Sequence, residues 1–450
     1  MSASAMIRFD EAWDRANDFV RRHRELCRPE TVLVRDLYGK IRLALDDREM
    51  PDRETRAPDA PRREKLAAEL HAKLGAWSPG AGSILLLASR LFVPAEIFGT
   101  ADALRANPEK LEEHDYKILD RSIIGADWLR QPFAPPPPER RRLTLFGIKG
   151  GVGRSTAAVV LAWRLAQRGH RTLVVDLDLE SPGVGTTLLP ADRAPDFGLV
   201  DWLVEDAVGQ ADAALLEAMV APSPLGDGGS ELWVVPAGGR SRDDYSYLPK
   251  LARAYAELGA GDEERVRPFG ERLHDLICRL EEELRPEVVL LDSRAGLHDI
   301  AALSVTRMRA TSLLFAVDSP QTWHAYRALF EVWRAHFDRA QGFRDNLKMV
   351  AAQIPETETR SYLESFRQQA YDLFLENLYE ETPPGEMEEF NFAPNDADAP
   401  HVPLRIHWSR TFQQFDPVGQ PEAITPQQIT AAFGDFLRGV GFLLFDEDLS

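Results

Sequence analysis

The chain has 450 residues, 44% hydrophobic and 28% charged, with a net charge of −19. That length is more than one core usually organises, so two domains are expected. Two cysteines, Cys27 and Cys278, make neither a disulfide framework nor a Cys–Cys metal site, which suits a reducing cytoplasm.

The segment Met1–Asp10 lacks the apolar core of a signal peptide, and no apolar run approaches the roughly 20 residues that span a bilayer. The acidic balance opposes sequence-independent DNA binding by the whole surface, leaving only local basic patches for it. A cytoplasmic protein without a membrane partner is the expectation.

Residues 1–130 read as a small accessory α/β or α+β domain. A helix over Glu11–Glu25 turns Trp13, Ala16, Phe19 and Val20 to one face. Two short strands, Thr31–Asp36 and Lys40–Leu45, flank a turn at Gly39. A polar loop over Pro51–Pro61, a helix over Arg63–Leu74 and a buried strand over Ser83–Ala88 follow. None of these carries recognisable chemistry.

The run Pro135-Pro136-Pro137-Pro138 marks a Pro-rich linker, residues 131–142, because each ring fixes φ and removes a donor. Beyond it, residues 143–450 alternate strand and helix. Strands are expected at Leu143–Ile148, Thr172–Asp176, Leu232–Val235, Val288–Asp292, Ser312–Val317 and Leu347–Ala351. Their nearly continuous apolar character implies a mostly parallel sheet covered by helices on both faces, with any ligand beyond the strands' carboxyl ends. Apolar positions from Ile429 to Leu444 read as a core-facing terminal helix, and its acidic end, Asp446-Glu447-Asp448, would be repelled by an anionic membrane.

The first of these strands runs into Lys149-Gly150-Gly151-Val152-Gly153-Arg154-Ser155-Thr156 and then a helix to Gln167. Glycines let backbone N–H groups point at a phosphate, and the helix N-terminus adds partial positive charge. Ser155 is placed to ligate Mg²⁺ through its hydroxyl and Thr156 to donate to a phosphate.

This run closely resembles the deviant Walker A motif of ParA/MinD-type P-loop ATPases. The resemblance implies a P-loop NTPase fold, ATP and Mg²⁺ as cofactors, and a homodimer in which Lys149 crosses to the partner's phosphates. Gly150, Gly151, Val152, Gly153, Arg154, Ser155 and Thr156 would form the nucleotide cradle. One departure matters: Arg154 stands where the family has its P-loop lysine. A planar fork does not fill the volume of a compact ammonium, so slow turnover is expected.

The resemblance extends to two acidic strand ends. In Asp176-Leu177-Asp178, the second aspartate matches the family's water-positioning residue, and Asp176 ends the strand near the metal. In Leu291-Asp292-Ser293-Arg294-Ala295-Gly296, Asp292 matches the Walker B residue that holds magnesium, and Gly296 the γ-phosphate sensor. Arg294 approaches a phosphate or pairs with a surface carboxylate, the latter being slightly favoured. Gln353, before Pro355, falls where relatives recognise adenine. The likeness covers about Leu143 to Pro355.

Relatives that bridge an iron–sulfur cluster need cysteines placed for it, but Cys278 precedes the second acidic strand on an apparent helix and Cys27 lies outside the ATPase core; relatives with a tyrosine-rich tail differ from a chain whose last tyrosine is Tyr379. An acid ligase or metabolite kinase has no pocket motif to support it. The clusters Arg21-Arg22-His23-Arg24 and Arg140-Arg141-Arg142 leave DNA possible but not favoured. Two functions stand: an ATP-hydrolysing switch that dimerises around Mg-ATP and controls a partner macromolecule, through a protein contact of the N-terminal domain; or a nucleotide-gated regulatory scaffold with little hydrolysis, for example in a bacterial conflict or defence system.

Overall fold

The computed structural model describes residues 6–48, 59–106, 115–122, 124–226, 228, 230–240, 245–259, 266–380 and 390–450. Most of the loop expected over Pro51–Pro61 lies outside them. Contacts divide the chain into two units, Met1–Arg130 and Gln131–Ser450.

The first unit is built on a five-stranded mixed sheet. Its strands are β1 (Thr31–Arg35), β2 (Ile41–Leu45), β3 (Leu85–Leu87), β4 (Leu104–Arg105) and β5 (Lys117–Asp120), in the order β3-β2-β1-β5-β4. Strand alternation sends Leu33, Ile41, Leu43 and Leu45 to one face. There they meet Ala16, Phe19 and Val20 of α1 (Phe9–Arg22) and Leu66 and Leu70 of α2 (Ala60–Leu74). Val32, Val34 and Ala44 face the other way, toward Ile97 and Leu119. Helix α2 starts earlier than its apolar pattern suggests, because Asp59 accepts from the Arg62 N–H and Pro61 is tolerated in a first turn. Gly39 turns the β1–β2 hairpin at φ 78°, and a Cβ there would lie 2.8 Å from the Trp77 ring.

The second unit carries β6 (Arg141–Gly147), β7 (Thr172–Asp176), β8 (Ala221–Pro222), β9 (Leu232–Val235), β12 (Val288–Asp292), β13 (Thr311–Ala316), β14 (Leu347–Ile354) and β15 (Leu404–His407) in one sheet; β10 (Leu258–Gly259) and β11 (Val266–Arg267) form a separate pair. The eight-stranded order is β15-β14-β13-β6-β12-β7-β9-β8. All neighbours are parallel except the short edge strand β8. This is the mostly parallel α/β architecture expected of a P-loop NTPase.

On one face Leu143, Leu145, Val174, Val288 and Leu290 pack against α3 (Arg154–Gln167) and the terminal helix, residues 426–445. On the other face Leu173, Val175, Val289 and Leu291 meet α4 (Leu199–Asp206) and, beyond α5 (Tyr247–Ala254), α6 (Phe269–Leu284). The segment leading into β6 belongs to this unit from its start: Phe133, ahead of the four prolines, stacks on His274 and donates its N–H to the Arg307 carbonyl. Arg142 turns inward, where Glu281 accepts from its Nε and Nη2 at 2.7 Å. No helix among the described residues is long and apolar enough to cross a membrane.

Candidate functional site

Strand β6 ends at Gly147 and α3 begins at Arg154, so the glycine-rich turn occupies the gap at the sheet's carboxyl edge. Ile148 and Val152, each 5% exposed, pin the turn to the core, while Lys149 and Gly150 stand in solvent. Gly151 and Gly153 adopt φ of 75° and 81°, and a Cβ at either would meet nothing within 4 Å. The requirement for glycine there is conformational, since side chains strain the left-handed region. Ser155 and Thr156 lie half-buried in the first turn of a 14-residue helix, where unpaired N–H groups and the helix dipole favour an anion.

The parallel register sets Asp292 beside Asp176, each 1% exposed at the ends of neighbouring strands. Arg154 reaches across them. Its Nε donates to Asp292 Oδ1 at 3.1 Å and its Nη2 to Asp178 Oδ2 at 3.0 Å. The Ser155 hydroxyl lies near enough to Asp292 to favour its charged form. Asp292 Oδ2 is buried without a partner.

Asp176 accepts backbone N–H groups from Asp178 at 3.2 Å, Gly183 at 3.1 Å and Gly185 at 3.2 Å. Its carboxylate therefore shapes the loop that follows β7. Burial, then the neighbouring Asp292 charge, pushes the Asp176 carboxyl up to about 7 despite those donors. Burial also raises Asp292 and Asp178, with Arg154 acting the other way on both. Two carboxylates thus share one guanidinium, with the buried Asp176 beside them.

The two loops after β7 and β12 are tied to each other. Arg294 pairs with Glu180 at 2.8 Å, the surface-carboxylate alternative of the two expected. Tyr255 donates its hydroxyl to the same Glu180 at 2.7 Å, and Tyr247 donates to the Leu179 carbonyl at 2.6 Å. Gly296, at φ 87°, gives its N–H to the Gly147 carbonyl at 3.1 Å, so the second loop is docked on the first. Gln353, itself at φ 54°, closes the other side by donating from Nε2 to the Gly151 carbonyl at 2.6 Å.

The structure therefore gathers Arg154, Ser155, Asp176, Asp178, Asp292, Gly296 and Gln353 around one loop. Lys149 is exposed and makes no hydrogen bond or ion pair with them. Sequence reasoning missed Glu180, Tyr247 and Tyr255. Glu180 lies two residues past Asp178, but nothing local marks the tyrosines as its neighbours.

A divalent cation fits this donor set. The orphaned Asp292 Oδ2 and the Ser155 hydroxyl are hard oxygen donors at one point, and magnesium takes few protein ligands when a substrate phosphate and water supply the rest. No group of three or more His, Cys, Asp or Glu side chains among the described residues is arranged to hold a metal by itself.

Residues 143–356 match the model of the CobQ/CobB/MinD/ParA nucleotide binding domain. No curated protein matches the chain. Among solved structures, a ParA family ATPase from Chlorobium tepidum aligns at 15% identity over 66% of this chain and 98% of its own, with a TM-score of 0.41. The cell division ATPase MinD of Pyrococcus furiosus aligns at 18% identity over 67% and 99%, with a TM-score of 0.40. A cobyrinic acid a,c-diamide synthase from Mycobacterium smegmatis, solved with an ATP analogue and magnesium, aligns at 19% identity over 54% and 86%, with a TM-score of 0.35.

Proposed function

Residues 143–356 are a nucleotide-binding domain of the CobQ/CobB/MinD/ParA family, and we propose that the chain is an ATP-binding, ATP-hydrolysing switch that dimerises around Mg-ATP. The observation that carries this reading is the bridge from Arg154 to both Asp178 and Asp292 beneath the phosphate loop. It joins the loop, the first acidic strand end and the second in one charged cluster with more carboxylates than cations.

Backbone N–H groups of the loop and the N-terminus of α3 hold the phosphates. Ser155 and Asp292 would hold magnesium, which neutralises phosphate charge when bound. Arrival of the nucleotide draws Arg154 off its aspartates toward phosphate oxygens, a bidentate exchange for which a guanidinium is suited. Asp178, freed of Arg154, accepts a hydrogen bond from the attacking water and orients it. Gly296 exchanges its Gly147 partner for the γ-phosphate, which undocks the second loop and moves Arg294 and Glu180 with it. Lys149, exposed on the loop, supplies a cation to the partner protomer's phosphates; such a contact is worth about 10³–10⁵ in rate. The N-terminal unit is the site of contact with a protein partner.

Multiple-turnover phosphate release, read beside light scattering, tests this. Lys149→Ala should abolish the ATP-dependent doubling of mass, and Asp178→Ala should retain the dimer and lose turnover. A Lys149→Ala chain that still dimerises with ATP contradicts the reading.

One observation favours a second reading. Arg154 is anchored to two carboxylates rather than one, so releasing it costs more than releasing a lysine would. A chain that binds nucleotide tightly and releases no phosphate, with or without a partner, is a nucleotide-gated scaffold.

A further inference from the structure

At the amino ends of the central strands lies a cavity of about 570 Å³, lined by Arg140, Arg141, Arg171 and Arg285 together with Glu139 and Glu287, an excess of two positive charges. Strand β6 has seven residues, which puts this cavity roughly 20 Å from the phosphate loop at the strand's other end. We infer that it is a second anion site, built for a small molecule bearing two or more phosphate groups.

Charge is the first argument. The chain carries −19 overall, so an arginine has carboxylates in excess to pair with. Yet Arg140, Arg141 and Arg285 make no ion pair among the described residues, and Arg171 has only Glu287 at 3.8 Å. Two acids share the lining: Glu139 is exposed and pairs with none of the arginines, and Glu287 is held by His170. His170 takes Glu287 at 3.0 Å on Nδ1 and Glu447 at 2.7 Å on Nε2, while its ring stacks on Phe445 at 4.0 Å. Arg141 lies over the same Phe445 ring at 4.9 Å, which fixes the guanidinium plane without neutralising it. Arg171 is steered by its Nε, which donates to the Arg285 carbonyl at 3.1 Å.

Shape is the second argument. The volume falls within the 300–1,000 Å³ typical of small-ligand sites. Four arginines on the wall of one concavity offer guanidinium forks of the kind that pair bidentately with phosphate oxygens. A nucleic acid would instead need cations strung along a surface. The neighbour that would extend this cluster, Arg142, is buried on Glu281. Screening over about 8 Å lets a compact anion feel the arginines rather than the protein's net charge, whereas a long polyanion meets both.

Tripolyphosphate is the probe. It is titrated calorimetrically into the full chain with saturating ADP, which holds the phosphate loop, and into the Arg140→Ser/Arg285→Asn variant under the same conditions. Asparagine is chosen because residue 285 sits at φ 47°, which it tolerates. One equivalent bound by the parent chain, weakened at least tenfold in the variant with ADP affinity unchanged, is the expected result. No binding in the parent, or equal binding in the variant, overturns the site. A 12-base-pair duplex that displaces the probe and loses affinity in the same variant overturns the small-phosphate assignment in favour of nucleic acid.

Discussion

Two arginines, twelve residues apart on the same strand-loop-helix unit, meet buried acids in opposite ways. Arg142 and Glu281 are 1% and 2% exposed; Nε and Nη2 go to the two carboxylate oxygens and Nη1 to the Met308 carbonyl. One charge meets one charge and both carboxylate oxygens are satisfied. Arg154 meets Asp178 and Asp292 with Asp176 alongside, and one oxygen of Asp292 is left without a partner. The first arrangement is finished. The second has more carboxylates than cations, an excess relieved either by a proton, as the raised Asp176 carboxyl shows, or by an added cation. The difference separates a one-to-one ion pair from a charge-imbalanced cluster of the kind that can accommodate a cation.

The largest expected effect breaks the finished pair. Arg142→Met leaves Glu281 buried and unpaired and should cost about 3–5 kcal/mol in urea unfolding. Nucleotide affinity of the folded protein should be unchanged. Adding Glu281→Met should return most of the loss, since an apolar pair of similar volume avoids the desolvation penalty.

The next effect concerns the phosphate loop itself. Gly153→Val forces a β-branched residue to φ 81° and should lower nucleotide affinity at least tenfold, read by titration with a fluorescent ATP analogue. Since a Cβ meets nothing there, Gly153→Asn should lose much less.

Sharper still is a change at the unfinished site. Asp292→Asn keeps the acceptor for Arg154 and removes one of three crowded carboxylates. Stability should stay within about 1 kcal/mol of the parent or rise, as is common when a functional site is relieved. The magnesium dependence of nucleotide binding should nearly vanish. The smallest effect is Glu180→Gln, which loosens the tie from Arg294 at a partly exposed pair and should cost about 0.5 kcal/mol or less. Its signature is a faster nucleotide off-rate by stopped flow rather than a shift in melting.

What the sequence disclosed follows from the range of the forces involved. The phosphate loop was legible because glycine spacing, the strand before it and the helix after it are local. The parallel sheet was legible from runs such as Val288–Asp292, apolar on both faces. Strand ends were less so: β6 begins at Arg141, two residues before its apolar run, because Arg142 snorkels onto Glu281, 139 residues away. The same long range hid the split of Arg140-Arg141-Arg142 into two cavity-lining arginines and one buried one. The tie of Glu180 to Tyr255 spans 75 residues and has no local signature. Arg154 was visible as a departure from the family, but its two-carboxylate grip depends on the register of β7 against β12, which only the fold supplies.

The most direct test of the account is equilibrium ATP affinity with and without magnesium, for the parent chain and Asp292→Asn. A site short of positive charge predicts that magnesium tightens binding by tenfold or more in the parent and hardly at all in the variant. Equal affinity in the parent with and without magnesium would contradict it, and would mean that Arg154 alone balances the phosphates.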